Sequence, residues 1–310
     1  MGRPYRNRTM ELPEYITAIG EQLAAGGAIT PSEELFETYE VFAAELTNLF
    51  MRPWLAADHA SRLSSDGDYF RVDIGGRSVV IAREAGDKIH AMRNACLHAG
   101  YRICEEEDGH GDHLFCRYHG WDYAIDGRLT DPMLRPEETD RARFRLPRYA
   151  MKIWNGLIFI DPSVAAPSPP AAKPLDFIDV PDLSQAKVVA RKRFSTTWNW
   201  KHLRHFLWSS KDLVFNGGGY DTIAEFGPLS MLLAKNGDAA LVRLIPRYAG
   251  HSDFELVRIA KPGHNAEAGD ESQIEEALRV EGDKIAGTPT GSLDRDFYAW
   301  YWAQMAPAAD

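Results

Sequence analysis

The sequence predicts an α+β protein in three parts. These are an N-terminal helical segment (1–67), a small all-β domain (68–161) and, after a Pro/Ala-rich connection (162–174), a second α+β domain (175–310). The observations behind this are a helical apolar stripe after Thr30, a change to period two at Asp68, and strand-like runs followed by terminal helical stretches beyond residue 174. A chain of 310 residues is long enough to bury two cores without covalent staples.

The first element starts at Thr30-Pro31-Ser32-Glu33, where Thr30 is an N-cap, Pro31 fits the first turn and Glu33 can return the capping hydrogen bond. Leu35, Tyr39, Phe42, Leu46, Leu49 and Phe50 then repeat at helical spacing, and the helix is expected to stop near Arg52-Pro53. From Asp68, DYFRVDI alternates, Gly75-Gly76 marks a tight turn and SVVIAR follows, which together predict a hairpin. KIHAM, HLF and GLIFID are further short strands. PSVAAPSPPAAKP has no periodic apolar face and is expected to run as a semi-rigid surface connection. Beyond it DTIAEF, MLLAK, AALVRLIP and DFELVRIA are strand-like. ESQIEEALRVEGDKI and DRDFYAWYWAQM are helix-like, the latter expected to bury Phe297, Trp300 and Tyr301 against the sheet.

Hydrophobic content of 45% and charged content of 26% suit a globular protein. No apolar run is long enough to span a bilayer and the first residues lack the apolar core of a secretory signal, so the expectation is a cytoplasmic protein with no membrane association. The net charge of -10 argues against nucleic acid, which demands a basic surface.

All three cysteines, Cys96, Cys104 and Cys116, fall in one short segment, which points to metal chemistry rather than a disulfide framework. There Cys96, His98, Cys116 and His119 are spaced C-x-H-x17-C-x2-H. Zinc accepts two Cys and two His, but its finger sites usually pair like ligands. Here each arm offers one Cys and one His, which suits a [2Fe-2S] cluster with both thiolates on one iron and both imidazoles on the other. Cys104 reads as a small buried side chain.

The segment CLHAGYRICEEEDGHGDHLFCRYHGWDY resembles the Rieske motif, and its HGWDY tail resembles the Rieske non-haem iron oxygenases (ring-hydroxylating oxygenases). Respiratory Rieske proteins carry an extra Cys in each loop; HAGY and CRYH have none. Ala99 stands where the oxygenase loops usually have Arg. FMRPWLAADHASRL, the Pro-rich connection and Asn199-Trp200-Lys201 also resemble landmarks of the oxygenase large subunit. The resemblance implies a Rieske domain followed by a helix-grip-like catalytic domain, shortened here. Around the cluster it implies shielding by Tyr118 and Trp121 and close backbone approach at Gly120; ordinary packing is an equal account of the two aromatics.

In that family a helix after NWK carries a bridging Asp and two His that, with a later carboxylate, hold a mononuclear iron. Aligned on NWK, this chain has Ser210 at the Asp and Leu213 and Gly218 at the two His. His202 and His205, three apart and so on one helix face, with Asp212 nearby, are the replacement ligands on offer.

The leading expectation is therefore a [2Fe-2S] Rieske subunit, without mononuclear Fe(II), in a trimer-based hetero-oligomer. It would relay electrons from an NAD(P)H-fed reductase or ferredoxin to the iron of a catalytic partner large subunit, which hydroxylates or oxidatively dealkylates an organic substrate. The alternatives are a complete oxygenase whose diverged iron site uses His202 and His205, and a non-catalytic structural or redox-sensing Rieske protein.

Overall fold

The computed structural model describes residues 12–51, 54–74, 76–132, 144–166, 181–211, 222–235, 238–264, 271–287, 293 and 295–306. Two antiparallel sheets form its body and a third, smaller one carries the candidate site.

The N-terminal segment is helical but interrupted. After α1 (Glu14–Ala25) come α2 (Glu34–Glu37), α3 (Tyr39–Glu45) and a wide π-turn, Leu46–Phe50. The single helix expected from Thr30 is broken at Thr38, whose ψ of 145° is extended and whose hydroxyl donates to the Glu34 carbonyl at 2.8 Å. The break leaves Tyr39 73% exposed, so it is not the core residue its spacing suggested. The π-turn brings Leu49 and Phe50 both into full burial.

The first sheet contains β1 (Leu55–His59), β2 (Asp68–Ile74), β3 (Arg77–Glu84), β4 (Lys88–Arg93), β5 (Asp108–His110), β9 (Arg148–Trp154) and β10 (Leu157–Ala166). Their order is β1-β10-β9-β4-β3-β2-β5. The expected hairpin is present, closed by Ile74 opposite Arg77. Leu55–His59, which sequence alone assigned to the helical segment, is an edge strand paired with β10. β10 continues through Ala166, so the start of the expected connection is strand. Most of the connection, 167–174, lies outside the described residues. β6 (His113–Cys116), β7 (Trp121–Ala124) and β8 (Leu129–Pro132) form the three-stranded sheet.

The second sheet, in the order β11-β15-β14-β13-β12, comprises β11 (Lys187–Thr196), β12 (Thr222–Phe226), β13 (Ser230–Lys235), β14 (Asp238–Tyr248) and β15 (His251–Ala260). An apolar layer joins it to the first sheet, with Trp54, Ala56 and Phe159 meeting Phe226, Leu241 and Val257. α4 (Trp200–Ser209), α5 (Glu271–Gly287) and α6 (Arg295–Met305) are the remaining described α-helices. α6 packs on α1 and the π-turn rather than on a sheet: Trp302 lies over Gly20, and Arg295 donates to the Leu23 and Gly27 carbonyls.

The NWK triplet has a job for each residue. Asn199 caps α4 by accepting the Lys201 backbone N–H at 2.9 Å, and its amide donates to the carbonyls of Phe36 and Ala249. Trp200 Nε1 and Lys201 Nζ both reach the buried carboxylate of Glu45, at 2.7 and 2.6 Å. Tyr301 donates to the same carboxylate at 2.7 Å, so three helical regions converge on one fully buried charge pair.

Candidate metal centre

Two loops at one end of the three-stranded sheet carry the four motif residues. The first leaves β4 and holds Cys96 and His98; the second joins β6 to β7 and holds Cys116 and His119. The loops are alike in build. In each, the Cys carbonyl accepts the N–H of a glycine four residues on, Gly100 at 2.8 Å and Gly120 at 3.0 Å. Both glycines sit at positive φ, 75° and 68°, a left-handed turn that suits glycine and sends the chain straight back toward the site.

The fold brings the four residues together. Cys96 and Cys116 are buried, with their sulfurs within hydrogen-bond reach of each other. The imidazoles of His98 and His119 have ring centroids 4.5 Å apart, edge to face, and lie nearer the surface. Burial, with the Cys96 sulfur beside it, pushes the Cys116 thiol up, while the backbone N–H groups of Tyr118 and His119 pull it down. A sulfur supplied with N–H donors at Cys116 and one beside a phenol at Cys96 favour a shared cation, and inner sulfurs with outer imidazoles suit a two-iron cluster. Among the described residues no three His, Cys, Asp or Glu converge on a single ion.

Two residues that sequence reasoning passed over organise this site. Tyr123, fully buried on β7, accepts the Leu97 N–H at 3.0 Å and lies 3.2 Å from Cys96 Sγ, so its own proton is left for the sulfur. It is the last residue of HGWDY, and its alternation with Trp121 on the buried face of β7 was the available signal. Asn94, 3% exposed, closes the base of the first loop. Its side-chain oxygen accepts from Ile103 and Cys104 N–H, and its amide donates to Ser78 Oγ and the Cys104 carbonyl. Cys104 is buried beneath the site and its thiol is pushed up by burial to about 12, an inert side chain.

Of the expected surroundings, Trp121 is buried and stacks on His98 at 5.2 Å, 14° from parallel. Tyr118 is 53% exposed, stacked on Tyr101 at 3.7 Å, with its edge against His119. It covers one imidazole rather than sealing the site.

In the second domain, His202 on α4 is 4% exposed, its ring 4.6 Å from that of Phe36 and 9° from parallel. His205 is half-buried one turn further on, and Asp212 lies outside the described residues, as do 213–221. The described structure therefore does not bring these three together. Neither groove beside α5 is lined by His202 or His205.

Residues 53–148 match the family model for the Rieske [2Fe-2S] domain. The chain is also 29% identical over 167 residues to the glycine betaine monooxygenase oxygenase subunit of Pseudomonas aeruginosa, a match spanning 52% of this chain and 38% of that protein. Residues 53–148 therefore form a Rieske [2Fe-2S] domain, and over about half its length the chain is similar to the large subunits of Rieske oxygenases. A second relative, biphenyl dioxygenase subunit alpha of Paraburkholderia xenovorans, is 28% identical over 176 residues, 54% of this chain and 38% of the relative. The chain thus covers well under two thirds of the length of these curated relatives.

Solved Rieske oxygenases share the fold. The apo form of the quaternary ammonium Rieske monooxygenase CntA superposes with a TM-score of 0.63 at 17% identity, covering 88% of this chain and 94% of that one. Naphthalene 1,2-dioxygenase from Rhodococcus sp. does so with a TM-score of 0.61 at 16% identity, covering 96% and 98%. The expected α+β class, a Rieske domain joined to a catalytic-type domain, is the one observed.

Proposed function

We propose that this chain is the oxygenase component of a Rieske system. Cys96, His98, Cys116 and His119 hold a [2Fe-2S] cluster, which takes electrons singly from a reductase or ferredoxin and supplies them to a mononuclear iron that activates oxygen against an organic substrate. The observation that supports this is the pair of matched loops, each carrying one buried Cys and one outer His, with the two imidazoles side by side. The division at about residues 67, 161 and 174 into helical segment, cluster domain, connection and second domain is part of the proposal.

What the protein itself supplies is a set of positions. Asn94 and the two glycine turns fix the loops, Tyr123 donates to a sulfur, and Trp121 braces the His98 ring. Neutral imidazoles in place of two thiolates make the cluster less negative and easier to reduce than an all-Cys one.

Where the mononuclear iron sits divides the proposal. The relatives favour this chain's own second domain, since those named above are oxygenase subunits and the fold likeness spans both domains. On this complete-oxygenase reading His202 and His205, with a carboxylate such as Asp212, are the ligands to test. One observation favours the relay reading, in which a partner large subunit of a trimer-based assembly holds the iron: the His202 ring lies flat and buried on Phe36, and Ser210, Leu213 and Gly218 offer no imidazole or carboxylate.

Iron content separates the two. A complete oxygenase has a third iron per chain beyond the cluster pair, loses it on His202→Ala/His205→Ala substitution, and loses turnover with it while the cluster spectrum stays. A relay subunit has two irons before and after, and turns over only when mixed with a partner.

A further inference from the structure

We propose that the cleft where Arg77, Arg93 and Arg102 meet the Cys96–Cys104 loop is the docking site for the acidic face of an electron-donor protein. The proposal rests on the oxygenase reading above and names the surface through which its cluster is charged.

Arg77 opens β3, Arg93 closes β4 one strand over, and Arg102 projects from the loop that holds Cys96 and His98. All three are exposed around a cleft floored by Ser78, Asn94 and Ala95, with Gly100 at its rim. Among the described residues neither Arg77 nor Arg93 has an acidic side chain within ion-pair distance, and Arg102 reaches Asp73 only at 4.0 Å. This gathering of three exposed arginines, two of them without an acidic partner among the described residues, lies on a chain of net charge -10. The overall charge repels an acidic protein, and clustered arginines are what a docking face needs to offset that repulsion locally.

The cleft is also placed for electron entry. Its Asn94 wall is the residue that ties down the cluster loop, so an occupant rests against the backbone leading to Cys96 and His98. Beside it Tyr101 and Tyr118 form an exposed stack, 47% and 53% accessible, whose far edge meets His119. Exposed tyrosines beside arginines are the composition of protein-binding hot spots. An open, rimmed surface of this kind fits a protein better than a small anion, which needs enclosure.

The test is stopped-flow reduction of the cluster by a reduced, acidic plant-type [2Fe-2S] ferredoxin, comparing the wild-type chain with R77Q/R93Q. R279Q, a charge change on the exposed face of α5, is the control. The double variant is expected to lose about tenfold in second-order rate at low ionic strength and to show a flatter salt dependence. R77K/R93K should recover most of the rate, R279Q should match wild type, and reduction by dithionite should be the same in all four. Unchanged ferredoxin kinetics in R77Q/R93Q, with dithionite still reducing the cluster, overturn the docking site while leaving the oxygenase reading intact. A change of oligomeric state in R77Q/R93Q by sedimentation assigns the face to contact between copies and also overturns it. A chain that holds no reducible cluster overturns the oxygenase reading itself.

Discussion

Tyr123 is the residue through which the protein most directly tunes its candidate cluster. A phenol donating to the Cys96 sulfur stabilises the more negative, reduced state, since hydrogen bonds to cluster sulfurs raise the potential. Tyr123→Phe is therefore expected to keep its cluster and lower the reduction potential by on the order of tens of millivolts, read by redox titration. Cys104 makes the opposite prediction. With its thiol buried and pushed up to about 12, Cys104→Ala should retain full cluster content, and the native Cys104 should resist alkylation until the chain is unfolded. Both residues sit within a motif that was legible because ligand type, order and spacing are local properties of a sequence. Tyr123 itself was not singled out, because nothing in HGWDY tells which aromatic points at a sulfur; that depends on β7 pairing with β6.

At the scale of elements, the buried pair of Glu45 and Lys201 locks α4 against the N-terminal helices and α6. Lys201 loses its water entirely, which depresses its pKa, while Glu45 and the rings of Phe36, Trp200 and Tyr301 around it favour the charged form. Removing one partner leaves the other charge buried alone. Lys201→Met should cost about 3–5 kcal/mol in denaturant unfolding, and Glu45→Gln added to it should restore part of that loss. The strands were legible from alternation, as in DYFRVDI and DFELVRIA, whose apolar residues do face cores. The helices were legible in existence but not in partner. DRDFYAWYWAQM is a helix, yet its aromatics face α1 and Glu45, a choice made by contacts more than 250 residues apart in sequence. The break at Thr38 was hidden for the same reason, since period alone runs through it.

Across the whole molecule, the two sheets are joined by ions as well as by apolar contact. Arg243 of β14 binds Glu255 of β15 at 2.5 Å and donates to the Ala56 and Asp73 carbonyls of the first sheet. Glu255 also meets Arg193, which in turn reaches Glu107 at 2.8 Å, while Asp108 meets Arg62 and Arg191. The acidic run from Glu105 to Asp108 is thus half a bridge between sheets: Glu105 and Glu106 face solvent, while Glu107 and Asp108 hold the second domain. Sequence shows a charge run but not the arginines of a distant strand. Although burial alone would raise it, the guanidinium of Arg243, joined by Arg193 and Arg191, holds the Glu255 carboxyl down at about 2. A depressed carboxylate contributes stability that is present above its unfolded pKa near 4.5 and is lost as pH falls toward 2. That contribution is roughly 3 kcal/mol. Acid unfolding of Glu255→Gln should accordingly show a weaker dependence on pH between 5 and about 2 than the wild-type chain. This weld fixes where the cluster loops stand relative to the second domain, and the account turns on what those loops hold. Iron and acid-labile sulfide in the purified chain, read together with the electron paramagnetic resonance spectrum of the reduced protein, test that most directly. The account predicts two sulfides and two cluster irons per chain, a Rieske-type signal, and loss of all three in Cys116→Ser; zinc without labile sulfide, or a cluster that survives that substitution, would contradict it.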